Sequence, residues 1–188
     1  MKNLYYGLLL GFCLGASVQA QTANSLVNVP GVSPDTLATL LQKIYQTDPP
    51  NELQLGSIYY QGAAWYAKQA SPNYTTVIDL LRKSETHYAE AEAVENVAHI
   101  NIALAEYYLL LGIPQRSLAC LQKAHQFFQD LSQTNNVAIV DVLLGSYYLQ
   151  HADAALAKVY YQKALPYLSS PLKEEVAAQL ASMAEEQR

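Results

Sequence analysis

Sulfur, tryptophan and phenylalanine are scarce in this chain, which holds two cysteines, two methionines, one tryptophan and three phenylalanines; its aromatic content is nearly all tyrosine, fifteen residues read as mostly core. With Cys13 inside an expected removable leader, only Cys120 is left to the main body, and no internal disulfide is available to it. The fold must therefore stand on packing. Charge is also sparse, with 14% of residues Asp, Glu, Lys or Arg and a net charge of −5. The eleven basic residues are scattered, which argues against nucleic acid and anionic membrane surfaces as partners. Long apolar runs are missing after residue 20, where nothing approaches the stretch of about 18 residues that a spanning helix needs.

The four histidines are His87, His99, His125 and His151, and no two stand three or four residues apart. A helix cannot then offer a pair of imidazoles to one metal, so zinc is not expected and neither is any cofactor. Gly-x-Ser-x-Gly elbows and glycine-rich phosphate loops are absent too, so nucleophilic and nucleotide chemistry lack their parts. One acidic cluster remains as a catalytic alternative, His87 with Glu85, Glu90 and Glu92. Solvated glutamates on a helix are the commoner reading, and the chain is read as a non-enzyme.

What the sequence does have begins with a leader. Lys2, an apolar run from Leu4 to Leu14 and the small-residue approach Val18-Gln19-Ala20 have the order of a secretory signal peptide. Cleavage is expected after Ala20, with Cys13 lost in the leader. Phe12 ahead of Cys13 disfavours a lipid anchor, which needs a small residue there. The expected location is periplasmic or extracellular, with no stable membrane insertion once the leader is gone. Residues 21–32 show no period and are expected to be a flexible arm.

From there the chain repeats. Leu41-Gln42-Lys43-Ile44, Leu81-Arg82-Lys83-Ser84, Leu121-Gln122-Lys123-Ala124 and Tyr161-Gln162-Lys163-Ala164 follow one another every 40 residues. Leu37, Val77, Ser117 and Ala157 keep the same register, as do Leu40, Leu80, Cys120 and Tyr160. Cys120 is thereby read as a small packing residue and not a reactive thiol. Upstream, Asn96-Val97-Ala98 matches Asn136-Val137-Ala138, and Leu104-Ala105 with Tyr107-Tyr108 matches Leu144-Gly145 with Tyr147-Tyr148.

Val97, Ile100, Leu104, Tyr108 and Leu111 recur in steps of three and four, as do Leu118, Leu121, Ala124 and Phe128. Each unit is thus a pair of amphipathic helices. Gly112-Ile113-Pro114, Pro72-Asn73 and Ala152-Asp153 mark the turns. Ser33-Pro34-Asp35 is an N-cap followed by proline, opening a helix to about Gln46. Ser170-Pro171 opens a last, charged helix as a cap for the stack. The expectation is an all-α solenoid of stacked antiparallel helix pairs, with about eight helices and no strands.

Leu144, Gly145, Tyr148, Ala157, Tyr161, Ala164 and Pro171, with Leu104, Ala105, Tyr108, Gly112, Ser117, Leu121 and Ala124 one unit earlier, resemble the tetratricopeptide repeat in a long-helix variety. HEAT and armadillo repeats share the period but not this pattern. The resemblance covers roughly 35–186 and divides the repeat domain, 33–188, into a second helix alone (18–51), units at 58–91, 98–131 and 138–171, and a capping helix at 171–186. Two features depart from the family pattern: Gln61, Asn101 and Asp141 are polar at a bulky position, and Trp65 stands at a small one.

The resemblance implies a non-catalytic scaffold that binds a peptide or partner protein on a concave face lined by first helices. The implied contacts are Tyr59, Tyr66 and Gln69, then His99, Ile102, Glu106 and Leu109, then Ile139, Val142, Ser146 and Leu149. The Lys and Asn set that grips a free carboxyl terminus in some members is missing. The face is either open, covered by the chain itself, or paired with a second copy in a homodimer. A sensory segment of an envelope signalling protein is the alternative within the binding class. Asn73-Tyr74-Thr75 is a glycosylation acceptor sequence at a turn.

Overall fold

A computed structural model describes residues 30–185. The signal peptide expected at 1–20 and most of the arm expected at 21–32 lie outside them. Among the described residues there are eight α-helices and no strand: α1 (Pro34–Tyr45), α2 (Glu52–Ala67), α3 (Tyr74–Glu90), α4 (Val94–Leu110), α5 (Pro114–Asp130), α6 (Thr134–Gln150), α7 (Ala154–Ala164) and α8 (Leu172–Glu185). A 3-10 turn, Leu165–Tyr167, carries Pro166 and follows α7 directly. No described helix is long and apolar enough to cross a membrane. The expected all-α fold of neighbouring helix pairs is what the chain adopts.

The helix starts follow from local chemistry. Ser33, Asn51, Asn73 and Asp153 each turn a side-chain oxygen onto the amide of the residue three positions on, satisfying a donor that the helix itself leaves orphaned. Helix pairs begin at Glu52, Val94 and Thr134, ahead of the unit starts expected at 58, 98 and 138.

Four helix ends share one backbone device. Glu92, Gly112, Ser132 and Ala152, twenty residues apart, are left-handed with φ of 54°, 73°, 56° and 61°. In each case the following amide reaches back five residues: Ala93 to Tyr88 O, Ile113 to Tyr108 O, Gln133 to Phe128 O and Asp153 to Tyr148 O, at 2.8–2.9 Å. The left-handed residue donates three back, closing a Schellman motif. An aromatic ring stands at the fifth residue back every time. The 40-residue period thus contains a 20-residue one, a helix plus its bend.

The chain forms two compact units that divide after Cys120, within α5. In the unit of residues 30–120, α1 packs on α2, α2 on α3 and α3 on α4. Leu55, Ala63 and Ala64 of α2, Val77 and Leu81 of α3, and Ala98, Ile100 and Leu104 of α4 are the interior. Residues 30–32 are not a free arm: Val32 N–H donates to Gln61 O at 3.1 Å. A Cβ on Gly31 would lie 2.9 Å from Trp65 Cα, so the segment can cross α2 there with glycine alone.

In the unit of residues 121–185, α6 packs on α7 and α7 on α8. Val142, Ala157, Tyr161, Ala164, Leu172 and Val176 form its fully buried centre. Gly145 brings the α6 backbone against the Tyr161 ring, where a Cβ would come within 2.7 Å of a ring carbon. Tyr161 fills that space, and its hydroxyl lies 3.0 Å from Ser146 Oγ.

The polar departures have a structural reason. Asn101 of α4 and Asp141 of α6 are buried, and each meets the preceding helix at the same register. Asn101 Nδ2 donates to Glu85 at 2.8 Å, and Asp141 Oδ1 lies 2.9 Å from His125 Nε2. Lys163 of α7 completes the second set, with Nζ 3.4 Å from Asp141. For Lys163 the repeating lysine is therefore the cation that accompanies a buried carboxylate.

Candidate functional site

The eleven residues implied as partner contacts separate by burial. Tyr59, Ile102, Val142 and Ser146 are packed inside. The period places them on the expected helices but not on the expected side of them. Tyr59 stacks parallel on the His87 ring at 5.3 Å between centroids, and burial with the nearby Tyr45 pushes its hydroxyl up to about 12. Ser146 spends its hydroxyl on Val142 O and Tyr161. Ile139 and Leu149 are half-buried against the α6–α8 core of their own unit.

Solvent access remains to five of the implied residues in the unit of residues 30–120. Tyr66 is half-buried, edge-on to Trp65 at 5.0 Å. Gln69 is exposed, with Nε2 donating to Trp65 O at 2.8 Å. Leu109 is half-buried. His99 is also partly exposed, 3.9 Å from Glu95; burial lowers its pKa and Glu95 partly opposes that.

Glu106 is the fifth and the most informative. Its side chain opens to solvent, yet the protein mass crowding it raises its pKa above the ordinary 4.5 by desolvation. Two tyrosines are near this position, and a third packs on one of them. Tyr107 is next to it on α4, 5.9 Å from the Tyr74 ring of α3, and Tyr60 of α2 is close enough for Glu106 to raise its hydroxyl. Burial is the larger cause for Tyr60, which rises to about 12, and for Tyr107, which also rises. An acid that is desolvated yet reaches solvent, with the Tyr60 and Tyr107 hydroxyls in electrostatic range, is chemically suited to meet a cation. Sequence reasoning singled out Glu106 but missed Tyr60, Tyr74 and Tyr107, because tyrosines in this chain read as core.

The acidic cluster around His87 has a different membership from the one expected. Glu85 turns to Asn101, and Glu92 is the left-handed residue of an exposed bend. His87 Nδ1 instead meets Glu52 Oε2 at 2.6 Å and Glu90 Oε2 at 3.6 Å. The hydrogen bond to His87 is the main cause holding Glu52 below its ordinary pKa, with burial opposing it. Glu52 comes from the start of α2 and His87 from the end of α3, a pairing across 35 residues that no local pattern announces.

Asn73 caps α3 and is exposed, so the acceptor sequence is accessible at that bend. Cys120 is half-buried and forms no disulfide among the described residues.

No family model and no curated protein matches this sequence. Among solved structures, the crystal structure of BtubC (BKLC) from P. vanneervenii aligns over 81% of this chain and 74% of that one, with 18% identity and a TM-score of 0.47. That likeness is too distant to transfer a role.

Proposed function

We propose that this chain is an exported, non-catalytic interaction scaffold of tetratricopeptide type, and that it binds a peptide or partner protein through the first-helix surface of residues 30–120. What supports this reading is Glu106: a desolvated carboxylate with solvent access, in electrostatic range of Tyr60 and Tyr107, in the unit that also carries the accessible Tyr66, Gln69, His99 and Leu109. A lysine or arginine of the partner would relieve the carboxylate and lie against aromatic faces, while apolar neighbours bury on the half-exposed rings. Export rests on the leader at 1–20, and the family on the 40-residue motif.

The test is selection of binders from a displayed peptide library against the full chain, followed by affinity measurement on the winners. Enrichment of segments with a basic residue beside aliphatic or aromatic ones is expected. Glu106→Gln and Tyr66→Ala are then expected to weaken those peptides by about 1–3 kcal/mol, the range of a charge-assisted hydrogen bond or a cation–π contact. Circular dichroism should show helix content unchanged. Selected peptides without basic residues, or affinities indifferent to both substitutions, would overturn the reading. Ile102→Asp is no test of docking, since it would place a charge in the core.

A further inference from the structure

The Glu52–His87–Glu90 cluster lies outside the surface just described and is not used by it. Its three ligating atoms, His87 Nδ1 and one oxygen from each carboxylate, lie within 4.8 Å of one another. Two come from one helical turn of α3 and the third from the first turn of α2. We infer that Glu52, His87 and Glu90 form a binding site for a divalent cation of the zinc(II) class, clamping the start of α2 to the end of α3.

Ligand type, ring orientation and spacing support it. One imidazole and two carboxylates are a mixed nitrogen and oxygen set, suited to borderline ions such as zinc. That set dispenses with the histidine pair sought in the sequence. The imidazole is already aimed, because its ring is held flat against Tyr59 with 2° between the planes. Tyr59 is buried, which fixes the stack, and Lys83 Nζ sits 5.5 Å from the Tyr59 centroid. The His87 side chain keeps 16% exposure, whereas Glu52 and Glu90 keep 32% and 55%, leaving room for water as a further ligand.

A tetrahedral ion with bonds of about 2.0–2.1 Å needs ligand atoms roughly 3.3 Å apart. The His87–Glu90 separation of 3.6 Å is close to that. The His87–Glu52 separation of 2.6 Å is a hydrogen bond and must open by about 0.7 Å, within reach of a partly exposed glutamate turning about its side-chain bonds. The chemistry is an exchange: the ion takes the lone pair at Nδ1, and the ring stays a neutral imidazole with its one proton on Nε2, any second proton leaving to solvent. No electron changes hands.

The experiment titrates the full chain with zinc(II) against a chromogenic chelator and, in parallel, with cobalt(II) read by visible absorption. One ion per chain, a cobalt spectrum of tetrahedral intensity and a higher thermal midpoint with zinc are expected. Glu90→Gln, on an exposed side chain, and His87→Asn should each weaken binding at least about tenfold and erase the thermal shift. His99→Asn should leave both intact. Circular dichroism of His87→Asn monitors folding, and Glu90→Gln keeps the test decisive if that variant unfolds. Absence of binding at sub-millimolar ion, or binding indifferent to Glu90→Gln and to a folded His87→Asn, would overturn the inference. Loss with His99→Asn alone would place the ion elsewhere and overturn it too.

Discussion

Glu106 combines desolvation with an opening to solvent, and the combination has a measurable consequence. Burial raises it above 4.5 while it still faces solvent, so the folded chain holds that proton more tightly than the unfolded chain does. A raised acid contributes stability that is fully present below the unfolded pKa and is lost as pH rises through the folded pKa. Glu106→Gln removes that loss. Urea unfolding of both proteins across the acid-to-neutral range should therefore show the variant gaining on the parent as pH rises, with the curves converging in acid. Parallel curves would mean that the carboxylate is not desolvated in solution. His99 is shifted the other way, lowered by burial, so its contribution is lost as pH falls below the ordinary histidine range. The two effects are separable because their windows and signs differ.

At the scale of elements, the period of 40 was readable and the helix pair with it, because apolar residues recurred in steps of three and four. The bends were legible at Gly112-Ile113-Pro114 and, by register with it, at Ala152-Asp153. Glu92 and Ser132 adopt the same left-handed conformation as Gly112 and Ala152 with no residue to advertise it. The aromatic residue five back from each following amide is the signal that could have found them. A left-handed L-residue costs about 1–2 kcal/mol, and glycine there gives back about 0.5–1 kcal/mol in unfolded-chain entropy. Ala152→Gly is accordingly expected to stabilise the protein by up to about 1 kcal/mol in chemical denaturation, an unusual direction for a substitution to glycine. Destabilisation would mean that the Ala152 methyl has a packing role.

At the scale of the whole molecule, composition and charge excluded more than they identified. The net charge of −5 argued against nucleic acid, and the same field has a positive consequence for a cationic peptide. Stopped-flow association of a basic peptide should slow as salt rises from about 0.05 M to about 0.5 M, with dissociation changing less. An association rate independent of salt would detach the partner's charge from the proposed function. The fold class was legible because a solenoid-type order of contacts is local in sequence. The site was not. Its tyrosines come from α2, α3 and α4, and the His87 cluster joins α2 to α3, so both depend on distances that periodicity does not encode. The resemblance also assigned Tyr59 and Ile102 to a surface, whereas both are buried, because a family pattern carried over by register does not tell which side of a helix this chain covers.

The bends that recur every twenty residues carry a further consequence. Each is fastened by its own main-chain bonds, so the tripeptides at 91–93 and 131–133 are exchangeable in backbone, the side chain of Gln133 adding a hydrogen bond accepted from Asn136. Exchange of one for the other would leave the register of every helix where it was, and corners of this kind are places where a lineage can rewrite its sequence without redrawing its architecture.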